Sequence, residues 1–197
     1  MCFDELYIEF YNNFINSGVD NRVDKLISQT NINYNFKVED KYIFLDRLFD
    51  DYTILEKITE MIITEFDYKI LVPVINKDIE LNLLKKIDEM GLDEFILFIK
   101  INNIKEIIDL INAAELVVDI NTKIKNKINN NLVMALFLNK SIVCNKSEIN
   151  YKLLGEYPYY YSIDISIDSV IKNKKALLAD RESVIRNYLE LSILGEK

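Results

Sequence analysis

Arg47 stands just past an apolar run, Tyr42 to Leu45, and a guanidinium at a strand end can grip a diphosphate through two parallel hydrogen bonds. Asp50 and Asp51 follow closely, so a surface ion pair is the competing reading. Asp119 and Asn121 close a second apolar run, where they either contact a polar ligand or form a turn through a local side-chain bond. Asn129, Asn130 and Asn131 precede a third apolar stretch and suit a helix cap, with the first-turn N–H groups facing either solvent or a phosphate. Asn126 lies among Lys123, Lys125 and Lys127, a set that either holds phosphate or forms a solvated loop. Tyr157, Tyr159, Tyr160 and Tyr161 surround Pro158, offering rings to a sugar or a base, or else the inward face of a strand.

Other chemistries are excluded by what the chain lacks. It contains no histidine, which removes imidazole zinc sites and His-activated nucleophiles. Its 4 glycines, Gly18, Gly91, Gly155 and Gly195, are too scattered to form a Walker loop or a dinucleotide fingerprint. No D-x-D triplet occurs, so a manganese-dependent sugar transferase of the GT-A kind lacks its ligands. No metal and no cofactor is expected. A net charge of −8 argues against nucleic acid as a partner. Cys2 and Cys144 have neither metal spacing nor the density of a disulfide framework and read as free thiols. The N-terminus carries acids where a signal peptide needs bases, and no apolar run approaches the roughly 18 residues of a membrane span, so a cytoplasmic location without membrane insertion is expected.

The elements that must position these residues can be read from periodicity. Phe3, Tyr7, Phe10 and Phe14 recur at helical spacing, and residues 1–36 read as a helical extension too short to fold alone. From there to residue 197 short apolar runs alternate with helical stretches, the pattern of a doubly wound, mainly parallel α/β sheet of about six strands. Strands are expected at 42–45, 69–74, 94–99, 116–120, 141–144 and 160–163, and helices at 53–65, 78–90, 104–112 and 129–138. Two further helices are expected at 168–179 and 180–194. Gly91 suits a left-handed C-cap, and Asp78 an N-cap. A Rossmann-like order and a flavodoxin-like order both satisfy this alternation. In either, ligands bind beyond the carboxyl ends of the strands.

The order and wording of these segments resemble the C-terminal, nucleotide-sugar-binding domain of GT-B glycosyltransferases, particularly the retaining family with an E-x7-E motif. The stretch KYIFLDRLFDDYTILEKITEMI is similar to that family's strand, Gly-Arg-Leu turn, lysine and helix, and IKEIIDLINAAELVVDI to its alanine-acid pair and following strand. NNNLVMALFLNKSIVCN is similar to its most recognisable passage, a helix, a glycine-lysine turn and a strand. The resemblance spans residues 41–178 and implies a donor-sugar site in which Arg47 meets the diphosphate.

The same resemblance shows departures. Placing Lys140 on the turn lysine puts Asn126 and Met134 where the two motif glutamates belong, and methionine has no strong donor or acceptor to engage a sugar. Tyr52 falls on the partner lysine, and Asp46 and Asn139 fall on glycines. The strand ending VVDIN is also similar to that of the non-catalytic GT-B-like partner proteins of accessory secretion and adhesin glycosylation systems. Transferases of this class work in a cleft between two such domains, and a second one has no counterpart in residues 1–40. The resemblance therefore implies a glycosyltransferase-like protein that binds a nucleotide sugar and needs a partner transferase or acceptor-domain protein. The alternative it leaves open is a non-catalytic subunit of an active transferase. A nucleotide sensor is a third class.

Overall fold

The structure is a computed structural model and describes residues 41–48, 52–62, 68–75, 81–101, 104–123 and 129–161, together with Val170 and Val184. Within them six strands form one all-parallel sheet: β1 (Tyr42–Leu45), β2 (Lys69–Ile75), β3 (Ile96–Ile101), β4 (Leu116–Asp119), β5 (Ser141–Cys144) and β6 (Tyr159–Tyr160). The helices are α1 (Ile54–Ile62), α2 (Leu81–Glu89), α3 (Ile104–Ala113), α4 (Asn130–Phe137) and α5 (Glu148–Leu154). Strand order is β3-β2-β1-β4-β5-β6, which is the Rossmann order and decides against the flavodoxin-like alternative.

The continuous apolar runs are explained by burial on both faces. Every residue of β1, β4 and β5 is buried. Alternation along β1 sends Tyr42 and Phe44 to a core built with α3, α4 and α5, and Ile43 and Leu45 to a second core built with α1 and α2. Tyr42 keeps its hydroxyl satisfied inside by donating to the Leu110 carbonyl at 2.6 Å.

Pro73 lies within β2, where a missing N–H would ordinarily break a ladder. Lys69 N–H bonds toward β1, at the Lys41 carbonyl, and Ile70 N–H toward β3, at the Phe95 carbonyl. Alternation therefore turns position 73 toward β1, beyond the last β1–β2 pair, Phe44 with Leu71. The proline falls where the two strands have already parted.

Several boundaries differ from the sequence expectation. Residues 93–95 form a turn, so β3 begins at Ile96, while β2 runs on to Ile75. β6 is two residues long and begins at Tyr159. Helix α5 was not expected from periodicity; Ser147 caps it, its Oγ accepting from Asn150 N–H at 3.1 Å. The extension at 1–36 and the Asp78 cap lie outside the described residues, as do the helices at 168–179 and 180–194 apart from Val170 and Val184, both buried.

Candidate functional site at the carboxyl ends of β1 and β4

The strand order reverses between β1 and β4, and at such a switch point the connections leave toward opposite faces and open a crevice. Register places two carboxylates there. Leu45 pairs with Val118, so the next residues, Asp46 and Asp119, stand side by side, and Asp46 N–H bonds the Val118 carbonyl at 2.9 Å. Asp46, Asp119, Asn121 and Asn129 are all buried, which requires each polar group to find a partner.

Arg47 supplies the cation. Its backbone is left-handed, with φ of 58°, which is uncommon for a side chain of this size. The turn buries Leu48 and lays the guanidinium along Asp119, Nε donating to Oδ1 at 3.2 Å and Nη2 donating to Oδ2. This fork-to-fork pair is half sheltered, with the Arg47 side chain 16% exposed and that of Asp119 fully buried. Asn121 fastens the turn from the opposite strand, its Nδ2 donating to the Arg47 carbonyl at 3.3 Å. Its own N–H donates to Asp119 Oδ1 and its Oδ1 accepts from Lys123 N–H, so the local turn reading of Asp119 and Asn121 holds.

Helix α4 closes the crevice from the other side. Asn129 is its N-cap, accepting from Asn131 N–H at 3.0 Å, while its Nδ2 donates to Asp46 Oδ2 at 2.8 Å and to Asp119 Oδ2 at 2.6 Å. Both amide protons of one side chain thus bridge two acids. Asn131 Nδ2 donates to the second Asp46 oxygen at 3.0 Å. From β5, Asn145 Nδ2 donates to the Asn121 carbonyl at 2.5 Å, and Asn150 Nδ2 to the Asn145 carbonyl at 3.0 Å.

The electrostatics are uneven. Burial, reinforced by the Asp119 charge, pushes the Asp46 carboxyl up to about 6, against the opposing bonds from Asn129 and Asn131 and the Arg47 charge. Burial likewise raises the Cys144 thiol well above its ordinary range. Among the described residues no group of three Cys, Asp or Glu converges as a metal-ligand set.

Of the residues singled out from sequence, Arg47, Asp119, Asn121, Asn129 and Asn131 meet in this one cluster. Asn130 is exposed on the first turn of α4, and Asn126 lies outside the described residues with Lys125, Lys127, Asp50 and Asp51. Met134 is a buried core side chain on α4. The tyrosines serve structure: Tyr157 is buried with its hydroxyl donating to the Lys140 carbonyl at 2.8 Å, and Tyr159 and Tyr160 form β6. Sequence reasoning missed Asp46 and Asn145 as members of the cluster. Their signal, a polar residue one step past a buried strand, gains meaning only once the strand order is known.

No known protein-family model matches the chain, and no curated protein matches it in sequence. Solved structures do resemble it. Anabaena Alr3699/HepE in complex with UDP and glucose aligns at a TM-score of 0.57 and 14% identity, over 88% of this chain and 52% of that one. A glycosyltransferase from Rickettsia africae aligns at 0.64 and 12%, over 88% and 49%. The C-terminal domain of a group 1 glycosyltransferase, LpcC from Francisella tularensis, aligns at 0.50 and 18%, over 80% and 86%. The chain spans about half the length of HepE and of the Rickettsia protein. At these identities the likeness establishes a shared architecture, the Rossmann-like fold of GT-B glycosyltransferase domains.

Proposed function

We propose that this chain is a glycosyltransferase-like protein of the non-catalytic kind, a subunit or stabilising partner of an active transferase built on the same fold. One observation carries the reading: the groups at the switch point are already spent on one another. Arg47 is clamped edge-on to Asp119, Asn129 has both amide protons on carboxylates and its oxygen on the α4 cap, and Asp46 adds a second buried acid beside the pair. A diphosphate entering here meets two carboxylates and one committed guanidinium, so it must displace bonds and face like charge. The positions that the family resemblance assigns to the motif acids, Asn126 and Met134, supply no carboxylate.

The donor-binding reading has its own support. Nη1 of Arg47 carries no bond among the described residues, and HepE, which shares the fold, is seen with UDP and with UDP-glucose. Calorimetric titration of the chain at pH 7.5 with UDP, UDP-glucose and GDP separates the two. No heat and no thermal shift at millimolar ligand is expected. Binding at millimolar or tighter that Arg47→Ala abolishes would replace the non-catalytic reading with donor binding.

A further inference from the structure

The charges at the head of β1 and β4 do not balance. Among the described residues the charged groups acting on Asp46 are Asp119 from β4 and its own neighbour Arg47. The Arg47 fork is laid along Asp119, whereas among the described residues the side-chain donors to Asp46 are neutral amides, Asn129 and Asn131 from α4. β5 presents Cys144 beside Asp119, a thiol that burial keeps protonated. Two acids bridged by one amide nitrogen, in surroundings dry enough to bury both, compete for one counter-charge. Asp119 holds it.

We propose that Asp46 is a proton-operated switch: it takes up a single proton on mild acidification, and the cluster passes from one net negative charge to none. The element it biases is the N-terminus of α4, which Asn129 and Asn131 tether to the Asp46 carboxyl. The folded-state carboxyl titrates above its ordinary value of 3.8, near 6, so between these values the folded chain keeps a proton that the unfolded chain has released. The stability this proton confers is complete below the ordinary value and is lost as pH rises through about 6. The switch goes beyond the partner reading and does not depend on it, because it concerns a proton and no nucleotide.

The test is a carbon-13 titration of aspartate carboxyls in the full chain, with Asp46 assigned through its own Cβ protons. A midpoint at or above about pH 5 supports the switch and a lower one overturns it. Urea unfolding of wild type and Asp46→Asn adds a second measurement. Between pH 4.5 and 7.5 the unfolding constant of the wild type is expected to rise more than roughly tenfold relative to the variant. Parallel profiles would overturn the proposal, and if the variant fails to fold, the wild-type titration decides.

Discussion

A single neutral amide, Asn129, ties both acids of this crevice to the start of α4. It caps α4 and holds Asp46 and Asp119 at once, so Asn129→Ala removes a helix cap and leaves two buried acids short of a donor. A loss of about 3 kcal/mol is expected for it, whereas Asn130→Ala, on the exposed neighbour, should stay within about 0.5 kcal/mol. Equilibrium urea unfolding of both variants checks the contrast, and equal effects would refute the bridging role. Arg47 shows why the sequence is legible only in part at this scale. Its position past an apolar run marks it as a site residue, but its partner stands 72 positions away, while Asp50 and Asp51 look like the local choice. Pairing with Asp119 follows from strand adjacency, and adjacency is a property of the whole sheet. Asp46 was obscured for the same reason: read along the chain it is only an acid after a strand, and across the sheet it is half of a pair.

Element boundaries were most readable where backbone chemistry, rather than packing, sets them. Gly91 adopts φ of 65° and ends α2 with Gly91 N–H on the Asp88 carbonyl and Leu92 N–H on that of Ile87. Asn139 repeats the arrangement after α4 at φ of 60°, Asn139 N–H reaching Leu136 and Lys140 N–H reaching Ala135. Asparagine tolerates this region and alanine does so poorly, so Asn139→Ala should cost about 1 kcal/mol while Asn139→Gly should be neutral or stabilising. Thermal unfolding of the two variants distinguishes this from a role for the amide side chain, which both would lose alike. The helix missed by periodicity, α5, has seven residues and buries Leu153 and Leu154 beside Asn150. Too short for a repeating stripe, it announces itself only through the Ser147 cap, and Ser147→Ala should lower stability by about 1 kcal/mol.

For the molecule as a whole, alternation of apolar runs and helices was enough to indicate a doubly wound sheet, and the six strands bear that out. It left the strand order open, because the Rossmann and flavodoxin-like orders share one linear pattern. The order matters most at the middle of the sheet, where β1 meets β4. Among the described elements every other pairing joins consecutive strands, β1 to β2, β2 to β3, β4 to β5 and β5 to β6, each across one described helix. The central joint must instead wait for a much longer loop to close, and such contacts are slow to form. Two halves that zip locally and then dock along β1 and β4 are the kinetic consequence. Arg47, Asp119 and Asn129 would meet only after the rate-limiting barrier, so in stopped-flow chevrons Asn129→Ala should accelerate unfolding about a hundredfold, the whole of its stability loss, and leave refolding nearly unchanged. A refolding rate that falls instead would place the joint in the folding nucleus. The polar cluster, a bond network at equilibrium, would then act in time as a clasp, governing how long the two halves stay shut and not how quickly they find each other.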